Sequence, residues 1–186
     1  KNLVIPETTP DGKPVLNIGN DAFSVPDSAT VVTKFGIDSP EGFKSVDMPK
    51  SVETIGDNAF KQNAITDIDL GKATSLGVHA FHGNKLEKAI IPDTVTSIGD
   101  GCFATNSITE IKLSKNITVI PGGCFSMNIR LDHVDIPEGV TEIQQTAFAG
   151  ARLTELKIPS TVTKIGKKAF HLHHITNLVI TGNVKV

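Results

Sequence analysis

The sequence predicts a β-rich repeat solenoid of the α/β type, built from units of about 22 residues that each hold a short strand and a single helical turn. Three observations predict it. Phe60, Phe81, Phe103, Phe125, Phe148 and Phe170 recur at spacings of 21, 22, 22, 23 and 22 residues. A branched apolar residue stands five positions before each (Ile55, Leu76, Ile98, Ile120, Ile143, Ile165), and a small residue stands immediately before (Ala59, Ala80, Cys102, Cys124, Ala147, Ala169). Between successive Phe positions runs an L-x-x-L-x-L pattern, with apolar triplets such as Ile65/Ile68/Leu70, Ile108/Ile111/Leu113 and Leu153/Leu156/Ile158.

Each part of the unit has a physical reading. The last two apolar residues of a triplet are two apart, so they share one face of a strand. Pro49, Pro92, Pro137 and Pro159 follow the triplet and end the strand, because proline cannot donate to a ladder. A V-x-x-I segment comes next, as in Val95/Ile98, Val140/Ile143 and Val162/Ile165. Glycine after the Ile, as at Gly77 and Gly99, permits a sharp turn. The G-D-x-A-F stretch reads as one helical turn that sends Phe inward. A single unit holds too few apolar residues to close a core, whereas stacked units cover one another. Strand spacing of roughly 4.8 Å would set the rise per unit.

Two regions follow from the phase of the pattern. Residues 1–42 form a degenerate N-terminal repeat with an inserted loop, since Phe23 lies 37 residues before Phe60 and the excess falls between Ser24 and Glu41. Residues 43–186 form regular repeats in one continuous solenoid, and the last unit, begun at Leu178-Val179-Ile180, is expected to be incomplete.

Composition excludes several classes. Of the 186 residues 39% are hydrophobic and 20% charged, which fits a folded domain and not a disordered one. A net charge of −2 gives no electrostatic reason to expect nucleic acid or an anionic membrane as partner. No apolar run approaches the ~18 residues that would span a bilayer. Two cysteines are too few for a disulfide framework. Nine Phe with no Trp or Tyr match a single repeated structural position for the aromatic.

The phrase from Ile91 to Leu113, IPDTVTSIGDGCFATNSITEIKL, resembles the BspA-type leucine-rich repeat, whose unit reads roughly I-P-x-x-V-T-x-I-G-x-x-A-F-x-x-x-x-L-x-x-I-x-L. The resemblance covers residues 43–180 and, loosely, 1–42. Departures at Ile120-Pro121, Ile143-Gln144 and Gly71 touch turns and not core columns. The resemblance implies a leucine-rich-repeat superhelix or horseshoe in a bacterial cell-surface or secreted protein. It also implies a protein ligand, host and extracellular-matrix proteins among them, and it carries no shared catalytic residues. A non-catalytic adhesion module is therefore expected, acting as a monomer and needing no cofactor; the rival reading is a structural spacer that presents another domain.

Few residues invite a chemical role. Cys102 and Cys124 sit one unit apart in the small-residue column; they read as buried thiols, since in-register side chains point in parallel and disfavour a bridge. His171, His173 and His174 cluster and read as a solvated loop, with weak metal chelation by His171 and His173 as the alternative. Asn63, Asn84, Asn106 and Asn128 stand three residues after successive Phe, where stacked amides can bond neighbouring backbone; Ala151 and His173 complete that column. Asn116-Ile117-Thr118 is a sequon of the kind that arises by chance. The outward positions of the L-x-x-L-x-L segment form the candidate recognition face: Asp67, Asp69, Lys88, Ile90, Glu110, Lys112, His133, Asp135, Glu155 and Lys157. Charges there alternate in sign from rung to rung, which also fits a self-neutralising solvated surface.

Overall fold

The computed structural model describes residues 1–25 and 42–185. The inserted loop expected between Ser24 and Glu41 lies, from residue 26 to residue 41, outside the described residues. The rest coils into a solenoid whose rungs follow the 22-residue period. Strands β1 (Asn2–Val4), β3 (Ser45–Asp47), β6 (Lys88–Ile90), β8 (Glu110–Lys112), β11 (Glu155–Ile158) and β13 (Asn177–Ile180) occupy the L-x-x-L-x-L side. Two-residue strands end at the Ile column on a second side: β2 (Asn17–Ile18), β4 (Thr54–Ile55), β5 (Ser75–Leu76), β7 (Ser97–Ile98), β9 (Val119–Ile120), β10 (Glu142–Ile143) and β12 (Lys164–Ile165). All these strands pair in parallel, each with the rung before or after it.

The third side corrects the expectation of helical turns: among the described residues there is no helix, and the fold is an all-β solenoid, not an α/β one. A helical turn needs consecutive right-handed residues, but the residue two before each Phe is left-handed, from Asn58 (φ 52°) and His79 (φ 53°) to Thr146 (φ 55°) and Lys168 (φ 58°). The residue two after Phe is left-handed as well, as at Gln62, Thr105 and Met127. The backbone between them makes successive tight turns, with Ala59 N–H donating to Gly56 O and Lys61 N–H to Asn58 O. The remaining amides turn toward the next rung. Phe60 N–H donates to Ala80 O at 2.9 Å, Phe81 N–H to Cys102 O at 2.9 Å, and Phe125 N–H to Ala147 O at 2.8 Å. Turns and interrung bonds together satisfy backbone groups that would otherwise be buried unpaired.

Inside, the Phe column is a ring stack from Phe23 to Phe170, with centroids 5.4–5.6 Å apart and planes within 17° of parallel. Phe60, Phe81, Phe103, Phe125 and Phe148 are wholly buried. Ile, Leu and Ala columns pack around the stack to form one continuous core. Asn63, Asn84, Asn106 and Asn128 line it as buried amides. Each accepts, through Oδ1, the backbone N–H that opens the preceding triplet, and each donates, through Nδ2, to the Phe carbonyls of its own and the preceding rung. Asn106, for instance, accepts from Leu86 N–H at 3.0 Å and donates to Phe81 O at 2.9 Å and Phe103 O at 3.1 Å.

Breaks in the sheets have local causes. The second sheet is interrupted between β7 and β9, where Pro121 replaces the glycine whose N–H donates to the preceding rung elsewhere, as Gly99 N–H does to Leu76 O. Gly122 N–H is taken instead by side chains, Asp100 Oδ1 at 3.0 Å and Gln144 Oε1 at 3.1 Å. On the first side, the segments holding Asp67–Asp69 and His133–Asp135 form no strand. They belong to the two units whose Phe-to-Phe lengths are 21 and 23 residues. In the 23-residue unit the extra residue falls between Phe125 and Leu131 and puts the segment out of phase with the preceding rung. In the 21-residue unit the missing residue falls after Leu70, and Thr66 N–H still donates to Lys44 O as in the other rungs.

Candidate protein-binding face

Because strand side chains alternate, the residues between the core positions of the first side must face solvent. All ten candidate residues are exposed: Asp67, Asp69, Lys88, Ile90, Glu110, Lys112, His133, Asp135, Glu155 and Lys157. The structure brings them together as pairs and short clusters, not as one uninterrupted sheet. Lys88 faces Glu110, and Ile90 faces Lys112, in the β6–β8 pair. Glu155 faces Asn177, and Lys157 faces Val179, in the β11–β13 pair. Asp67, Asp69, His133 and Asp135 sit on the two rungs that lack strands.

Charge on this face is partly self-compensated. Lys88 Nζ lies 2.7 Å from Glu110 Oε2, and that carboxylate raises the Lys88 pKa. His133 sits between two carboxylates, with Nε2 3.3 Å from Asp135 Oδ1 and Nδ1 3.3 Å from Glu155 Oε1. Exposed pairs of this kind contribute little to stability. Lys112 and Lys157 make no ion pair among the described residues. Where β8 loses its neighbour, an open groove of about 470 Å³ separates Lys112 and Lys115 from Asp135 and Glu138, with Ile111 and Ile136 at its floor. The surface is thus polar, shallow and notched, with Val4, Ile90 and Val179 as apolar exceptions at its outward positions.

Other sequence candidates resolve differently. Cys102 and Cys124 are free and fully buried, and burial pushes both thiol pKa values up. The histidine cluster does not converge, and among the described residues no three His, Cys, Asp or Glu side chains are placed to hold a metal ion. Chelation by His171 with His173 is ruled out in this conformation, because both ring nitrogens of His173 are occupied. Leu153 N–H donates to Nδ1 at 3.1 Å, and Nε2 lies 2.8 Å from Phe148 O. His173 therefore does the work of an asparagine in the amide column and is no solvated loop residue. His171 and His174 are exposed. Ala151, the other exception in that column, has its reason one rung back. The extra residue there lets Leu131 N–H reach Asn128 O at 3.0 Å, so no side-chain acceptor is needed from position 151.

A coil of short parallel strands around a Phe stack, with a solvent-facing side of varied polar residues, defines a solenoid of the leucine-rich-repeat class. The chain belongs to the family described as BspA type leucine rich repeat region, which matches in six copies over residues 17–126 and 53–178. No curated protein matches the chain. Among solved structures it is similar to a leucine-rich repeat protein of Bacteroides ovatus, at 23% identity and a TM-score of 0.57 over 89% of this chain and 53% of that one. It is similar to a leucine-rich cell surface protein of Faecalibacterium prausnitzii, at 25% identity and a TM-score of 0.53 over 97% of this chain and 60% of that one. The pneumococcal vaccine antigen PcpA matches at 22% identity and a TM-score of 0.56, over 96% of this chain and 39% of that one. The chain thus spans less than two thirds of the length of each. Among the described residues, no helix is long and apolar enough to cross a membrane.

Proposed function

We propose that the chain is a non-catalytic protein-binding module of a bacterial cell-surface or secreted protein, and that its outward L-x-x-L-x-L side carries the contact. One observation bears most of the weight. Core columns repeat the same residue types in every unit, while the exposed residues of this side differ from rung to rung on a rigid frame. Such an array offers a partner an address that a repeating surface cannot. The side lacks aromatic anchors, so single contacts are weak and avidity across several rungs or copies sets the affinity. The likeness to a cell surface protein of Faecalibacterium prausnitzii supports the location. The test is direct binding of the purified chain to immobilised matrix and serum proteins by biolayer interferometry. The reading expects saturable binding that weakens when face residues are changed, and absence of binding across the panel counts against it.

The second reading is a spacer that holds another domain away from the cell. The Lys88–Glu110 pair favours it, since charges matched across neighbouring rungs leave less for a partner to engage. A chain that binds nothing but resists unfolding as one unit would support this alternative.

A further inference from the structure

The chain contains two arginines, Arg130 and Arg152, and they occupy the same position in successive rungs, immediately before Leu131 and Leu153. His174, before Ile175, continues the column into the next rung. All three are exposed at the corner between the Phe turns and the first strand side. Neither arginine has an ion pair among the described residues, although Asp132 lies two residues beyond Arg130. On the strand face, by comparison, Lys88 stands opposite Glu110, while Lys112 and Lys157 face Ile90 and Val179.

Beside this column the surface is apolar and indented. The sequence Ala149-Gly150-Ala151 makes the middle rung small, and Met127 and Ile129 rise on one side of it and Leu172 on the other. The result is an open groove of about 490 Å³ to which Arg152 and His174 also contribute. No carboxylate lines it. Met127, Ile129 and Leu172 are 52%, 52% and 65% exposed. Met127 and Leu172 moreover hold left-handed backbone, at φ 59° and 68°, where Gly83 and Gly150 stand in other rungs. A bulky apolar side chain in that conformation is strained, and its exposure gives the fold nothing in return. The repeating turn sets the backbone there, with Met127 N–H donating to Ala149 O at 2.7 Å as Thr105 N–H does to Ser126 O at 2.8 Å, but it does not account for the exposed apolar side chains around the groove, which an occupant would cover.

We propose that this corner is a second contact site, distinct from the strand face, that takes an acidic peptide segment carrying an aliphatic side chain. The aliphatic group fills the groove over Gly150, between Met127 and Leu172. The flanking carboxylates meet the Arg130 and Arg152 guanidiniums, whose planar forks suit bidentate carboxylate binding. Charge complementarity selects the partner, since guanidiniums stand in two successive rungs and no carboxylate lines the groove between them.

The test uses a fluorescein-labelled peptide, Ser-Glu-Leu-Glu-Leu-Ser, and fluorescence anisotropy with the intact chain. Binding that weakens with added salt is expected, because exposed charges are screened. The Arg130→Gln/Arg152→Gln double variant should bind about tenfold more weakly, the sum of two exposed ion pairs. Leu172→Ser should weaken binding too, and Lys112→Gln/Lys157→Gln on the strand face should leave it unchanged. All these positions are exposed, and equal melting temperatures would show that the variants are folded. Equal affinity for a peptide with Gln in place of Glu, or Ser in place of Leu, would overturn the proposal. So would undiminished binding by the double arginine variant. Binding of heparin through the same arginines, with no binding of the peptide, would assign the column to a sulfated polysaccharide and equally overturn it.

Discussion

Nδ1 of His173 accepts the backbone N–H of Leu153 at 3.1 Å, the role that Oδ1 of Asn128 plays toward Ile108 at 3.2 Å and Oδ1 of Asn106 toward Leu86 at 3.0 Å. An imidazole can fill this place only when Nδ1 is bare, so that Nε2–H donates to Phe148 O. Protonation would put a proton where a donor already points.

This arrangement makes the C-terminal rungs acid-sensitive. Burial lowers the pKa of His173, with the charge of His171 acting in the same sense and the bond to Phe148 O opposing. A histidine whose folded pKa lies below its unfolded value, about 6.5, contributes stability that is complete above that value. The contribution declines as pH falls from there through the lowered folded pKa, because the unfolded chain binds the proton more readily. Chemical unfolding between pH 8 and 5 should show this loss. The His173→Asn variant should keep the hydrogen bonds and flatten that part of the profile; an unchanged profile would mean that the ring does not titrate in place.

The amide column is also a stability element. In Asn106→Ala, Leu86 N–H loses its acceptor and Phe81 O a donor, both within the core. A cost of about 2 kcal/mol is expected, the penalty for leaving buried polar groups unmet. Asn106→Asp should be worse, since a carboxylate cannot donate to Phe81 O and a buried charge is added. Urea unfolding of the three proteins gives the order.

Much of this was legible in the sequence and some was not, for identifiable reasons. The Phe, Ile and small-residue columns announce the stack because burial leaves those positions no alternative. The amide column was visible because only a side chain with both donor and acceptor can serve two rungs. The turns were misread as helical. Gly101, Gly123 and Asn58 are compatible with left-handed backbone, but Thr146 and Lys168 occupy the same place without any local preference for it, so the interrung bonds decide. The two-residue strands at the Ile column were missed, since two residues are too few to show alternation. The exposure of the ten outward positions was legible from strand alternation. The break in the face at His133–Asp135 follows the extra residue between Phe125 and Leu131, whereas nothing in the spacing around Ile65 marks the break at Asp67–Asp69. The groove beside Arg152 went unnoticed because Met127 and Leu172 look like ordinary apolar residues until their backbone sends them outward.

Close packing between rungs sets two further costs. Phe148 lies 5.5 Å from both Phe125 and Phe170 in the ring stack, so Phe148→Ala should lose ~3–5 kcal/mol through the cavity it opens. Gly99 fails in the opposite direction: a Cβ there would overlap the backbone of Gly77 and Val78 in the preceding rung. Gly99→Ala should cost ~1–3 kcal/mol by overpacking, since backbone cannot yield as a side chain can. Loss well below 1 kcal/mol for either, in denaturant unfolding, would contradict the stacking described.

The thiols report on the same core. Cys102 and Cys124 are wholly buried and free, and burial raises both pKa values, so the reactive thiolate is disfavoured as well as hidden. Native protein should react slowly with a thiol reagent and release two equivalents once unfolded. Fast native labelling would show that the rungs open locally, and an intact mass lower by two hydrogens would show a bridge.

The last prediction separates the strand face from charge in general. Lys112 and Lys157 are exposed and make no ion pair among the described residues, so changing both to Gln should leave the unfolding midpoint nearly unaltered. On the other side of the solenoid, Lys164 pairs with Glu142 at 2.8 Å, and Lys168 sits in the turn at φ 58°. Changing these two removes the same formal charge from a different surface. If the strand face binds an acidic protein partner, the first variant should bind more weakly, most clearly at low salt, where screening is least. The second should bind as the parent does. Equal losses would reveal a response to net charge alone. A loss confined to the Lys164/Lys168 variant would move the contact to the side of the two-residue strands and the Phe turns, and the strand face would then be a self-neutralised wall.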